Sequence, residues 1–224
     1  MKLLLIEDEP ELARNITDYF SSNGFRCEWV STLSDAKEKI GMYNYDCILL
    51  DLMLPDGDGL KALKYLKSEQ KEDGVIIISA KNGLENKLEG LETGADDYLS
   101  KPFHLPELMA RVQAIVRRKQ FSGNNQVSFE EITINLSAHT VAVNKNTLAL
   151  TRSEFNLLLY LIGNKNRVLS KNAIAEHLSG DMADLMVNHD FVYAHIKNLK
   201  KKLVDAGAGD YIKSVYGLGY KWHA

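Results

Sequence analysis

Short apolar runs, each closed by polar or turn residues, alternate with stretches of helical period along the first half of the chain. Residues 3–6, FRCEWVS (25–31), Cys47–Leu50, VIIISA (75–80) and ADDYLSKPF (95–103) read as strands. Between them lie ELARNITDYFSSNG, STLSDAKEKIG, LKALKYLKSE, GLENKLEGLETG and LPELMARVQAIVRR, all with helical spacing. In the first, Leu12, Ile16, Tyr19 and Phe20 share a face and Gly24 is placed as a C-cap. Ser34 is the expected N-cap of the second, and Gly94 closes the fourth. Strands alternating with helices predict an α/β fold, a doubly wound parallel sheet of five strands covered on both faces. The flavodoxin-like order 2-1-3-4-5 makes strands one and three neighbours.

Residues 119–127, from KQFSGNNQV, are polar and rich in Asn, and read as a linker between domains at 1–118 and 128–224. The second part opens with strand-like EITINL, HTVAV and TLAL. Thr151 and Glu154 then stand in capping-box spacing before the apolar helix FNLLLYLIGN. VLSKNAIAEHLSG reads as a second helix capped by Ser170, DMADLM as a loop, and YIKSVYGLGYKW as a closing hairpin. In the helix spanning 188–203, Val192, Ile196, Leu199 and Leu203 form one apolar stripe. Asp190, Ala194, Lys197 and Lys201 fall opposite it, flanked by Tyr193, Asn198 and Lys200. The second part is therefore a small α+β domain.

Composition adds little to this picture. The 224 residues are 45% hydrophobic and 25% charged, as in ordinary globular proteins. Residues 1–119 carry 16 Lys and Arg against 21 Asp and Glu, and residues 120–224 carry 11 against 9, so the halves differ in sign. No apolar run approaches the ~18 residues of a membrane span. MKLLLIEDEP turns acidic too soon for a signal-peptide core, so the expectation is a soluble, cytoplasmic protein. Cys27 and Cys47 lie in strand-like runs without metal-ligand spacing, and are expected to be inert buried thiols.

Candidate chemistry collects at the strand ends. The third strand runs into Asp51 before Pro55, Gly57 and Gly59 break it. In the 2-1-3-4-5 order the exits of four strands converge, bringing Glu7, Asp8, Asp51, Ser79 and Lys101 together. Three close carboxylates call for a cation, and all-oxygen ligands suit Mg²⁺. Lys101 and Ser79 offer a charge and a hydroxyl to phosphoryl oxygens, and a carboxylate nucleophile forms an aspartyl phosphate. The constellation reads as a phosphoryl acceptor with its metal. His104, just beyond, reads as an exposed loop residue.

IEDE, DLMLPDGDG, IIISAK and GADDYLSKPF resemble the receiver domain of two-component response regulators over about residues 1–118. The resemblance implies phosphorylation of Asp51 by a partner histidine kinase. It implies Mg²⁺ on Glu7, Asp8, Asp51 and the Met53 carbonyl, a phosphate-pairing Lys101 joined to Pro102 by a cis peptide bond, and Ser79 and Tyr98 as switch residues. It further implies a homodimer through the fourth helix, fifth strand and fifth helix, with Lys87, Glu92, Asp96, Asp97, Glu107, Arg111 and Arg118 at the ion-pair positions.

TRSEF, HIKNLKKKL and SVYGLGYKW resemble the winged-helix domain of OmpR/PhoB-type regulators over about residues 128–223. That implies promoter DNA as partner, with a recognition helix carrying Tyr193, Lys197, Asn198, Lys200 and Lys201, and a wing carrying Tyr216 and Gly217. Two departures stand out: the helix lacks the family's usual Arg residues, and Tyr216 occupies the wing position where the family has Arg. Lys cannot reproduce the bidentate fork of Arg, so the target sequence should differ. Two other readings remain open here. One is a protein-binding output domain. The other is an aspartyl-phosphate phosphatase, which would want a second Asp two residues past the nucleophile, where Met53 stands.

Overall fold

The structure, a computed structural model, describes residues 1–121, 123–179 and 189–223. It divides into two compact units, Met1–Lys119 and Gln120–Ala224.

In the first unit the strands are β1 (Lys2–Ile6), β2 (Arg26–Val30), β3 (Cys47–Leu50), β6 (Gly74–Ser79) and β7 (Asp97–Ser100). All pair in parallel, in the order β2-β1-β3-β6-β7, which is the flavodoxin-like order. Successive side chains of a strand point to opposite faces, and two cores follow from that. Leu4, Ile6, Ile48, Leu50, Val75 and Ile77 pack against α2 (Leu33–Met42) and α3 (Leu60–Ser68). Leu3, Leu5, Cys47, Leu49, Ile76 and Ile78 pack against α1 (Pro10–Ser22) and α5 (Leu105–Phe121). Strands buried on both faces are near-continuously apolar, which is why they read as short runs and not as alternation.

The cap of α2 differs from the expectation. Thr32, not Ser34, is its N-cap, accepting from the Asp35 N–H at 3.1 Å. The Leu33 and Ser34 amides donate instead to Asp56, at 2.7 and 2.9 Å. These bonds hold the carboxyl of Asp56 below the usual carboxylate range, the Leu33 amide contributing most. Asp56 lies at the turn of a small ribbon, β4 (Met53–Leu54) with β5 (Gly57–Asp58), so the segment after Asp51 is tied to α2. On α4 (Leu84–Glu92), Gly90 is buried against Ile77 while Leu84, Leu88 and Leu91 face outward.

Residues expected to form a linker belong partly to regular elements. Helix α5 continues to Phe121, and β8 (Gln126–Phe129) already pairs with β9 (Ile132–Asn135). With β10 (Thr140–Val143) and β11 (Asn146–Leu148) they form an antiparallel sheet, ordered β11-β10-β9-β8. Asn144 and Lys145 take positive φ in the tight turn joining β10 to β11.

Helix α6 (Arg152–Gly163) begins with the expected capping box, Thr151 and Glu154 each bonding the other's backbone. Burial pushes the Glu154 carboxyl up, but bonds from Lys202, at 2.6 Å, and Thr151 outweigh it and leave the group below its ordinary value. VLS (168–170), expected in a helix, is strand β12 (Val168–Ser170), paired with β14 (Gly219–Trp222). Helix α7 (Lys171–Ser179) starts after it, with Ser170 Oγ accepting from the Ala173 N–H at 3.1 Å. That is the expected cap, with the helix starting at Lys171 after it. With β13 (Ile212–Val215) these strands form the order β12-β14-β13, which is the wing. Val192, Ile196, Leu199 and Leu203 of α8 (His189–Asp205) are all buried, as their spacing required. The loop expected at DMADLM and the first residue of the expected recognition helix, Asn188, lie outside the described residues.

Candidate functional site

Strands β1, β3, β6 and β7 end on one edge of the parallel sheet. Glu7 follows β1 with its N–H on Val30 O at 3.1 Å and its carbonyl accepting from the Trp29 indole at 2.8 Å. Asp51 follows β3, its N–H donating to Ile6 O at 2.9 Å. Both side chains are buried while Asp8 is exposed, and the carboxylate oxygens of the three lie within 4.8 Å of one another.

Lys101 reaches into this cluster from the end of β7. Its N–H bonds Ser79 O at 2.9 Å, and the Lys101–Pro102 bond is cis, as the resemblance implied. The ammonium donates to both oxygens of Glu7 at 2.8 Å and to Asp51 Oδ2 at 2.6 Å. Burial alone would lower the pKa of Lys101, but the bonds to Asp51 and Glu7 raise it above its ordinary value, so it stays charged. Burial pushes the Glu7 carboxyl up, the charge of Asp51 adds to this, and Lys101 opposes it. Among the described residues of this cluster, three carboxylates face one ammonium. The remaining negative charge and the all-oxygen donor set fit a hard divalent cation such as Mg²⁺. Met53 contributes its N–H to Asp51 Oδ1 at 2.9 Å, so its peptide borders the cluster, while its side chain is half exposed.

Ser79 is fully buried at the end of β6, its Oγ accepting from the Lys81 N–H at 3.3 Å. The Tyr98 hydroxyl donates to Lys81 O at 2.6 Å, and burial raises its pKa. Lys87 places its ammonium 5.9 Å from the Tyr98 ring centroid. Of the expected dimer positions, Arg111 pairs with Asp97 at 2.7 Å and with Glu107 at 2.8 Å, and Asp96 with Lys119 at 3.2 Å. Glu92 and Arg118 are exposed. His104 is an exposed residue whose carbonyl accepts from Glu107 and Leu108 at the start of α5. Cys47 is buried as expected, whereas Cys27 is half-buried; desolvation pushes the Cys27 thiol up to about 12 and raises Cys47 as well.

In the second unit, α8 exposes Tyr193, Lys197, Asn198 and Lys201, together with Asp190 and Ala194. Lys200 is placed differently, on the flank toward the wing. It donates to Ile212 O at 3.2 Å and pairs with Asp210 at 2.9 Å, and Asp210 also pairs with Lys213 at 3.0 Å. The Lys200 bond is the main reason that the Asp210 carboxyl lies below its ordinary range. Sequence reasoning missed Asp210 and Trp29, because each acts on a residue remote in the chain. Tyr216 stands fully exposed at the wing tip, followed by Gly217 at φ +71°. Asp210→Asn is expected to release Lys200 and Lys213 toward phosphates. Equilibrium titration of duplex DNA across a salt series should then show tighter binding and a log–log salt slope steeper by about two, one for each lysine.

The comparisons with known proteins agree with this geometry. Residues 3–113 match the response regulator receiver domain, and residues 144–222 match the family described as transcriptional regulatory protein, C terminal. The chain is similar to the cell cycle response regulator CtrA of Brucella anthropi, 36% identical over 222 residues, covering 98% of this chain and 94% of that protein. The receiver domain of a Francisella response regulator matches with a TM-score of 0.51 at 39% identity, over 52% of this chain and 97% of that one. A streptococcal redox sensor described as evolved from two-component response regulators matches with a TM-score of 0.50 at 27% identity, over 99% of this chain and 98% of that one. Among the described residues no helix is long and apolar enough to cross a membrane.

Proposed function

Because the chain belongs to the two-component response regulators that join a receiver to an OmpR/PhoB-type transcriptional regulatory domain, we propose that Asp51 is its phosphoryl acceptor and that α8 and the wing bind promoter DNA. The observation that carries this reading is the Lys101 ammonium bridging Glu7 and Asp51 at 2.6–2.8 Å on the strand-exit edge.

A partner histidine kinase supplies the phosphoryl group. An Asp51 carboxylate oxygen attacks phosphorus, a P–O bond forms, and the P–N bond to the kinase histidine breaks. The imidazole nitrogen keeps the electron pair and takes up a proton. Positioning and charge stabilisation do most of the work in such transfers. Glu7, Asp8, Asp51 and the Met53 carbonyl would hold Mg²⁺, which supplies positive charge beside the phosphoryl oxygens. Lys101 moves from Asp51 Oδ2 to a phosphoryl oxygen, and the Ser79 hydroxyl donates to another.

The added charge biases the segment that joins Ser79, Lys81 and Tyr98, and through it the face of α4, β7 and α5. Asp97, Glu107 and Arg111 already pair within one chain, and Asp96, Lys87, Glu92 and Arg118 complete the charged face. Exchange of these partners across a two-fold axis would form the homodimer. On DNA, Tyr193, Lys197, Asn198 and Lys201 face the major groove, with Lys200 on their flank and Tyr216 and Gly217 on the wing. Turnover of added phosphate esters is not expected, since Met53 offers no acid or base two residues past Asp51.

The test is incubation of the chain with Mg²⁺ and acetyl phosphate, followed by intact-mass measurement, sedimentation and selection of duplexes from a random pool. A phosphoryl adduct, a monomer-to-dimer shift and enrichment of paired half-sites about one helical turn apart are expected. Absence of an adduct would refute the acceptor assignment. An adduct with no enriched duplex would refute the DNA assignment alone.

A further inference from the structure

Strand β2 is the outermost of the receiver sheet and pairs with β1, Leu5 lying opposite Trp29 and Ile6 opposite Val30. One step past that register the Glu7 N–H still donates to Val30 O, at 3.1 Å. Continued in the same way, the parallel ladder would bring the Thr32 amide to the Glu7 carbonyl. The chain turns away instead, and Thr32 becomes the N-cap of α2. A side chain takes over as donor: the Trp29 indole N–H reaches Glu7 O at 2.8 Å.

That carbonyl belongs to the peptide joining Glu7 to Asp8. The Glu7 carboxylate is held on both oxygens by the Lys101 ammonium, and Glu9 is the N-cap of α1. Asp8, between them, is exposed, so the peptide before it, and not packing, decides where its carboxylate stands. Trp29 is itself 42% exposed, so its ring gains only part of the burial energy open to an aromatic of that size. Its polar edge is the part that meets the acidic cluster.

We propose that Trp29 is a positioning residue of the Mg²⁺ site: its indole N–H fixes the Glu7–Asp8 peptide and so keeps Asp8 in place beside Glu7 and Asp51 for the ion. This rests on the reading of those carboxylates as metal ligands given above. Mg²⁺ demands near-ideal geometry, whereas Ca²⁺ accepts irregular and larger shells. A loosened Glu7–Asp8 peptide therefore penalises Mg²⁺ more than Ca²⁺, and Trp29 acts on selectivity as well as on affinity.

The test is calorimetric titration of the full chain with Mg²⁺ and, separately, with Ca²⁺. Two replacements remove the donor. Trp29→Phe keeps an aromatic ring, and benzothienylalanine in place of Trp29 keeps the whole bicyclic shape with sulfur where the N–H was. Both should weaken Mg²⁺ binding on the order of tenfold, as is usual when a group that orients a metal ligand is lost. The loss for Ca²⁺ should be smaller, so that the ratio of Mg²⁺ to Ca²⁺ affinity falls. Urea midpoints with and without metal separate this effect from a general loss of stability, and the rise that Mg²⁺ produces should shrink in both variants. Wild-type Mg²⁺ affinity in the benzothienyl variant, or an equal loss for both ions, would overturn the positioning role and leave the metal assignment standing. A lower metal-free midpoint with an unchanged rise on adding Mg²⁺ would do the same, since it marks a structural bond only. Failure of the wild type to bind Mg²⁺, or binding that Asp8→Asn leaves unchanged, would overturn the metal assignment and this inference together.

Discussion

Asp51→Asn is expected to abolish phosphoryl loading and every response that depends on it. The amide of Asn is a poor nucleophile and carries no charge, so no phosphoryl adduct should appear after exposure to Mg²⁺ and acetyl phosphate. The substitution should leave the fold intact, since the Lys101 ammonium keeps its two bonds to Glu7 and the 4% exposed side chain changes little in shape. Denaturation midpoints close to those of the wild type would verify that. With the fold retained, sedimentation in the presence of the donor should show monomer only. On a duplex with two half-sites the wild type should gain affinity when phosphorylated, because the second half-site is engaged at an effective concentration in the millimolar range. The Asn variant should lack this gain, which is on the order of a hundredfold. Donor-dependent dimerisation by the variant, equal to that of the wild type, would sink the proposed coupling.

Gly59→Ala should damage the same site without touching any charged group. Gly59 has helical φ and ψ of −56° and −25°, a conformation that Ala adopts freely, so strain in the backbone is not the issue. Space is. A Cβ at this position would lie 2.0 Å from the carbonyl oxygen of Asp51 and 2.9 Å from Leu52 Cα. The obstacle is backbone, held on the other side by the Gly59 N–H bond to Leu52 O at 2.9 Å. Either α3 or the Asp51 segment must retreat by about 1 Å, a misplacement that costs on the order of a hundredfold in rate at a reacting centre. Overpacking of this kind also destabilises by about 1–3 kcal/mol. Urea denaturation reads the second effect, and the rate of adduct formation from acetyl phosphate reads the first. Wild-type values for both would show that the segment after Asp51 yields without cost.

Asp210, Gly59 and Trp29 share a reason for having escaped the sequence. Gly59 marks a break in a strand pattern, and nothing nearby in the chain says that α3 approaches Asp51 so closely. Trp29 reads as one more apolar residue of β2, yet its indole holds the carbonyl of Glu7 from 22 positions away. Asp210 sits in a loop of small residues, AGAGDY (206–211), and acquires meaning only because Lys200 and Lys213 converge on it. The misplaced cap of α2 has the same origin. Ser34 has the right chemistry for an N-cap, but Asp56, 22 residues later, already accepts from its N–H. Val168–Ser170 is too short to show a period of its own, and pairing with β14 makes it a strand.

By itself the sequence determined the alternation of the five receiver strands and helices, the buried stripe of α8, the capping box of α6 and the carboxylates, serine and lysine that end the receiver strands. These follow from period, from turn chemistry and from the rule that parallel strands neighbour in a set order, all of which are local or topological. Only the tertiary structure decided which charges meet. Lys101 is shared between Glu7 and Asp51, Arg111 between Asp97 and Glu107, and Lys200 is held by Asp210 at the edge of the surface that α8 exposes. Apart from the i,i+4 pair of Arg111 with Glu107 within α5, such pairings depend on distances of a few ångströms between residues of different elements, and those distances are set by packing of whole elements.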